Sequence, residues 1–318
     1  MTIPVLDMRD QRTDKQGFAQ QLGETLHTFG FVRLTGHGVT AKAIHEADEA
    51  GRKFWALPQA VKDRYSQEPY KVGIRVGYGH NAETALSSTK VDIKEEWGIN
   101  ACPEPPYNAR EMLNGVLEVP HFGDKILRLY DQFEKCAARV MRSIAIYGEL
   151  GERTFDPWLK DSASYMRLLN YPQKGNAAGH LDFNMLTLLH VSEPGLIVRD
   201  RKGRQHHVTT EPGELILNGG MQLGLITNDH LRPSWHEVKA DIPRTSIPFF
   251  LHPRRDVVLT PVGKFAQLNP GKVPPYFPPR DEKGRFAIET GEFNAQRLKE
   301  IYQRAPGTVQ TVKEQLAL

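Results

Sequence analysis

A histidine and an aspartate two residues apart, His180-Leu181-Asp182, are followed downstream by His236 and, eight residues after it, by Arg244-Thr245-Ser246. In extended chain, residues two apart point to the same side, so the imidazole of His180 and the carboxylate of Asp182 can meet a single ion. With His236 added, two nitrogens and one oxygen occupy one face of a metal and leave three positions open. That set suits ferrous iron, because the open positions admit a chelating cosubstrate and O2. Arg244 and Ser246 lie on the next apolar run, where a guanidinium fork and a hydroxyl can clasp the far carboxylate of a dicarboxylic keto acid.

None of these pieces carries weight alone. With 12 His and 38 acids in 318 residues, about 1.4 His-x-acid pairs arise by chance. Arg-x-Ser also occurs at Arg64-Tyr65-Ser66 and Arg232-Pro233-Ser234. Position decides, since only Arg244 lies beyond the distal histidine on a β-like segment. His190 is an alternative third ligand, but a histidine inside an apolar strand is more often packing, and choosing it leaves Arg244 and Ser246 without a reason for their placement. His206 and His207 are adjacent on an expected hairpin, face opposite ways and cannot share an ion; they are expected at the surface.

The elements that must position these residues divide the chain by texture. Phe18, Leu22, Leu26 and Phe29 predict a helix over 14–29, and a second is expected over 41–57, stopping before Pro58. The strongest helical period, Ile126 through Ile144, predicts one long scaffold helix over 122–149. Residues 69–120 are rich in Gly and Pro and read as loop with short strands. After Ser162 the runs SYMRLLNY, MLTLLHV, GLIVRD, HHVTT, GELILNGG and RTSIPFFLH are short, and Gly, Pro, Asn and Asp separate them. This is the pattern of an antiparallel sandwich or barrel. A last helix is expected at about 292–304, and no internal repeat is visible.

Hydrophobic residues at 39% and charged residues at 25% are ordinary globular values, and 318 residues is near the upper end for one core, so one large unit with helical additions is expected. A net charge of +3, spread along the chain, offers no basic stripe, and nucleic acid is not expected as a partner. Cys102 and Cys136 have no paired spacing, so neither a disulfide framework nor a thiolate zinc site is indicated. No export signal or long apolar run is visible, so a cytoplasmic protein without a membrane span is expected.

Taken in order, LLNYP (168–172), HLDFNMLTLLH (180–190), PGELILNGG (212–220), His236 and RTSIPFF (244–250) resemble the isopenicillin N synthase-like branch of the Fe(II)/2-oxoglutarate-dependent oxygenases. FGFVRLTGHGV (29–39), Phe54, Pro58, Lys62, GYGHNAE (77–83) and DIKEEW (92–97) resemble that family's non-catalytic N-terminal region. The resemblance implies a mixed α and β fold: a distorted double-stranded β-helix, or jelly-roll, with flanking N-terminal helices and a long backing helix. It implies an N-terminal region over 1–120 and a catalytic core over 121–318, in one compact unit. It also implies a dioxygenase that oxidises a small-molecule substrate with release of succinate and CO2. His180, Asp182 and His236 would bind Fe(II), Arg244 and Ser246 would hold 2-oxoglutarate with an added bond from Tyr171, and Asn218 would stand near the site. O2 is the second cosubstrate; the oligomeric state is left open.

Two positions depart from the family's pattern. Its usual Asn-x-Gly-Asp reads Asn218-Gly219-Gly220-Met221, which concerns a turn, and its small residue two after the aspartate is Asn184, which would face the pocket together with Phe183 and Phe250. Trp97, Trp235 and Tyr78 read as packing, while Arg75 in a Gly-flanked loop could meet a substrate carboxylate. An oxidase of this fold that needs no 2-oxoglutarate, a non-catalytic metal-binding sensor, and a Zn(II) or Mn(II) isomerase or hydrolase share the ligand set. The first also keeps an Arg-x-Ser pair and is not excluded by it, whereas the isomerase or hydrolase gives Arg244 and Ser246 no duty.

Overall fold

The computed structural model describes residues 3–66, 77–80, 92–100, 113–172, 175–268 and 273–302; Arg75 and Cys102 lie outside them. The Lys15–Thr28 helix starts where the Asp14 side chain accepts from Gly17 N, and the Ala41–Trp55 helix where Thr40 Oγ1 accepts from Ala43 N. Each cap satisfies a donor that the first turn leaves without a partner. The second helix ends ahead of Pro58, whose ring disfavours helical geometry in the residue before it. The long helix, Phe122–Tyr147, buries Ile126, Leu129, Tyr130, Phe133, Ala137, Val140, Met141 and Ile144 along one stripe. A helix at Thr290–Tyr302 closes the described chain. Among the described residues, no helix is long and apolar enough to cross a membrane.

The strands are β1 (Val5–Asp7), β2 (Phe31–Thr35), β3 (Gly77–His80), β4 (Glu95–Asn100), β5 (Tyr165–Tyr171), β6 (Asn176–His180), β7 (Leu186–Val191), β8 (Leu196–Arg199), β9 (Gln205–Val208), β10 (Leu215–Gly219), β11 (His236–Lys239), β12 (Arg244–Leu251), β13 (Val258–Leu259) and β14 (Ile288–Glu289). One sheet runs β1-β2-β10-β7-β12-β5-β4-β3 and is antiparallel except for β1 beside β2; a second runs β6-β11-β8-β9. β13 and β14 form a separate pair. This is the jelly-roll the sequence suggests, but β1 to β4 are strands of the large sheet, so the N-terminal residues build the barrel wall as well as the helices around it.

Strand alternation sorts the side chains into two apolar cores. Met166, Leu168, Leu186, Leu188, Leu215, Leu217, Ile247 and Phe249 point outward and pack with the helices. Phe249 stacks on Phe133 with centroids 5.8 Å apart and meets Tyr130 edge-on at 5.2 Å. Trp97 and Tyr78 belong to this outer core and are packing, as expected. The inward set, Leu169, Tyr171, Val191, Leu196, Val198, Ile216 and Val238, forms a second and smaller core between the sheets. Inward polar residues therefore point into a space with few competing partners, and the site is built there.

Candidate metal centre

β6 and β11 are neighbours, and their register pairs His180 with His236. The pairing slips by one residue between that pair and Val238 with Ala177. Such a bulge puts one extra residue on β6, which lets His180 share the inward face with Ala177. Asp182 follows in the loop. Its Oδ1 lies 3.8 Å from Nε2 of His180 and 3.8 Å from Nε2 of His236, and the three ligand atoms fall within 4.8 Å of one another. Among the described residues this is the one group of three or more His, Cys, Asp or Glu placed to hold a metal.

Each imidazole is oriented by its own strand. His180 Nδ1 lies 2.8 Å from Ala178 O, and His236 Nδ1 lies 3.1 Å from Ser234 O. A carbonyl only accepts, so both Nδ1 atoms carry a proton, which leaves Nε2 of each ring, the nitrogen that faces Asp182, to supply a lone pair to a metal. Burial, the neighbouring His236 and Lys94 push the His180 pKa down to about 4, although 37% of its side chain remains accessible. A depressed pKa favours the neutral, ligating form. Phe31 meets the His236 ring edge-on at 6.0 Å.

The second carboxylate oxygen is already taken. Asp182 Oδ2 accepts from Thr187 Oγ1 at 2.6 Å and from Asn218 Nδ2 at 2.9 Å. Burial alone would raise the Asp182 pKa, but the two imidazoles and these two donors outweigh it and hold the carboxyl below its usual range. With Oδ2 occupied, Oδ1 is the oxygen left to meet a metal, and a one-oxygen carboxylate would preserve the open positions that dioxygen chemistry requires. The donor set of two imidazole nitrogens and one carboxylate oxygen fits a ferrous ion.

Asn184 does not face the pocket. Its side chain is 1% exposed, and its Nδ2 donates to Leu186 O at 2.5 Å and to Thr187 Oγ1 at 3.1 Å. It braces the hydroxyl that braces Asp182. The Gly219-Gly220-Met221 turn serves the same end: a Cβ on Gly220 would stand 2.2 Å from Asn184 O, and Met221 N donates to Asp182 O at 2.8 Å. Thr187→Val keeps the shape and removes one donor from Oδ2. It is expected to weaken Mn(II) or Co(II) binding by roughly 10–100-fold, read by chelator competition; unchanged affinity would remove Thr187 from the site.

Arg244 enters from the far end of β12, paired with Tyr171 of β5. It is 2% exposed, and its Nε and Nη1 have no hydrogen-bond partner. Its guanidinium lies 5.3 Å from the centre of the Tyr171 ring. Burial raises the Tyr171 pKa, so the phenol stays a donor, and burial lowers that of Arg244. Ser246 is buried on the same face, between Leu169 and Val191. From the outer side Thr245 Oγ1 donates to Asp48 Oδ1 at 2.5 Å, tying the strand to the Ala41–Trp55 helix. A buried guanidinium with unpaired donors costs several kcal/mol, on the order of 3–5. A carboxylate is the group that satisfies it.

Residues 163–253 match the profile described as the 2OG-Fe(II) oxygenase superfamily, and residues 3–121 match that described as non-haem dioxygenase in morphine synthesis N-terminal. The chain belongs to the Fe(II)/2-oxoglutarate oxygenase superfamily. The oxygenase is 23% identical over 289 residues to gibberellin 20 oxidase 1-D of Triticum aestivum, covering 86% of this chain and 79% of that one. It is 28% identical over 284 residues to flavanone 3-dioxygenase 2 of Oryza sativa subsp. japonica, covering 82% and 77%. A crystal structure of a Caulobacter crescentus protein assigned to the 2OG-Fe(II) oxygenase family aligns with a TM-score of 0.77 and 29% identity, over 93% of this chain and 98% of that one. A full-length Neurospora crassa protein crystallised with alpha-KG and thymine shares the fold at a TM-score of 0.76 and 21% identity, over 93% and 96% of the two chains.

The remaining histidines of the oxygenase stand elsewhere. His190 pairs with Ile247 on the outer face of the large sheet, away from Asp182. His207 is exposed as expected, but His206 is half-buried, with Nε2 3.1 Å from Asp200 Oδ2. Trp235 lies flat on Gly179, whose Cβ would stand 2.0 Å from the indole, and under the Arg199 guanidinium at 4.0 Å. Sequence reading missed Thr187, which holds Asp182, and did not single out Arg167. Period-two alternation counted back from Tyr171 places Arg167 on the inward face and was the available signal.

Proposed function

We propose that this oxygenase oxidises a small organic molecule at the expense of 2-oxoglutarate and O2, yielding succinate and CO2. The observation that carries the reading is Arg244, buried with unpartnered donors on the strand inside the barrel. His180 Nε2, Asp182 Oδ1 and His236 Nε2 would hold Fe(II), and Arg244, Ser246 and the Tyr171 hydroxyl would fix the far carboxylate of the cosubstrate. Bound there, Fe(II) and 2-oxoglutarate would supply the activation of dioxygen, one oxygen atom going to succinate and the other supplying the oxidant for the substrate. The chain's own part is positional. Thr187 and Asn218 hold Asp182, the strand carbonyls hold both imidazole tautomers, and the inner apolar core excludes water. Residues 1–120 would serve as the non-catalytic region and 121–318 as the catalytic core of one unit. The co-crystallised thymine of the Neurospora crassa neighbour supports a small molecule as the substrate class.

The test is succinate release from carbon-labelled 2-oxoglutarate by the Fe(II)-loaded chain in air. Succinate formation is expected, abolished without O2 and sharply reduced in Arg244→Met. Consumption of O2 with a substrate but without succinate would instead assign an oxidase that needs no 2-oxoglutarate.

A further inference from the structure

We propose that Arg167 is the substrate anchor of the oxygenase and that the substrate carries a carboxylate on an apolar or aromatic body. The inference rests on the reading above and names the chemistry of the molecule it leaves open. Directly paired residues share a face, so the register maps the inner wall. One row runs Thr187, Phe250, Tyr165, Asn100 across β7, β12, β5 and β4; another runs Val191, Ser246, Leu169, Glu96. The first row contains the Thr187 hydroxyl that holds Asp182, and the second contains Ser246 of the cosubstrate end. Arg167 lies on β5 between them, opposite Gly98 of β4, which carries no side chain.

Arg167 is built in on three sides. Its Nη1 lies 3.3 Å from Glu96 Oε2, and its guanidinium lies 5.2 Å from the Tyr165 ring centre and 5.9 Å from that of Phe250. Those two rings stack at 6.2 Å with 20° between their planes. Glu96 is 2% exposed, whereas the Arg167 side chain keeps 17% of its surface accessible. The acid stands beside it on the same inner face, and the guanidinium is the member that keeps accessible surface. Beside the same wall Lys94 is buried 3.6 Å from Asp92, whose Oδ1 accepts from Ala178 N two residues before His180. Cations thus face the pocket from Arg244, Arg167 and Lys94. Arg244 is committed to the cosubstrate, and Arg167 stands nearest the aromatic pair. A fixed guanidinium fork matches a carboxylate, and the rings beside it match an apolar flank.

The experiment uses the full chain loaded with Mn(II) and 2-oxoglutarate without O2, and three probes of one shape: 3-phenylpropanoate, 3-phenylpropanamide and 3-phenylpropylamine. Paramagnetic broadening of the probe's proton signals by Mn(II) reads both affinity and nearness to the metal. The acid is expected to bind at least tenfold more tightly than amide or amine, because a site built for a charged hydrogen-bonding partner rejects the analogue that lacks it. Arg167→Gln should erase that preference and Arg167→Lys should keep part of it, while 2-oxoglutarate affinity, measured separately, reports that each variant is folded. Equal binding of acid and amide, preference for the amine, no broadening of any probe, or an acid preference that survives Arg167→Gln would each overturn the proposal. Loss of 2-oxoglutarate binding in the unaltered chain would instead overturn the reading on which it rests.

Discussion

Arg244→Met is expected to weaken 2-oxoglutarate binding to the metal-loaded oxygenase by on the order of a hundredfold or more, while making the ligand-free protein more stable. The two effects share one cause. Arg244 is a 2% exposed cation whose Nε and Nη1 donate to nothing, so the empty site carries an unsatisfied charge that a cosubstrate carboxylate would pair. Removing a buried charge-assisted partner costs a ligand about 2–5 kcal/mol. Replacing the orphan charge by an apolar side chain of similar length is worth about 1–3 kcal/mol to the protein alone. Methionine also keeps contact with the Tyr171 ring. Calorimetric titration reads the first effect. Thermal unfolding without ligand reads the second, at roughly 2–4 °C per kcal/mol or slightly less for a chain this large. An Arg244→Met protein that binds 2-oxoglutarate normally would remove Arg244 from the site, whatever its stability.

Asp182→Ala should lower Mn(II) or Co(II) affinity by at least about a hundredfold, more than the roughly 10–100-fold expected for an outer partner such as Thr187. The variant removes the one carboxylate of the three-residue cluster and strands two donors, Thr187 Oγ1 and Asn218 Nδ2, that both address Asp182 Oδ2. The imidazoles keep their orientation, because His180 and His236 are held by Ala178 O and Ser234 O and not by the aspartate. Metal titration followed by the Co(II) absorption spectrum checks this. If Asp182→Ala and Thr187→Val weaken the metal equally, the carboxylate is not a direct ligand.

The longer helices were legible because each carries a 3.6-residue stripe, and two of them start at a capping side chain, Asp14 and Thr40. Most strands after Ser162 were legible because turn residues separate them, but β6 and β11, which carry the two histidines, lie outside the apolar runs. The face of a given residue was harder to read. His190 and His180 both sit in or beside apolar strands, and only the register separates a histidine on the outer face from one aimed at Asp182. Asn184 is two residues from Asp182, and its position suggested a pocket wall. The tight turn against Gly220 instead directs its amide onto Leu186 O and Thr187.

The sequence by itself determined the ligand types, their order and the strand that bears Arg244, since these are properties of residue identity and local period. It could not determine which oxygen of Asp182 is free, which tautomer each imidazole holds, or that Arg244 is buried without a partner. Those depend on contacts between β6, β7, β10, β11 and β12, which are far apart in the chain and are brought together by two sheets closing around a small apolar core. A strand's alternation fixes two faces, and only the closure of the barrel decides which of them is the inside.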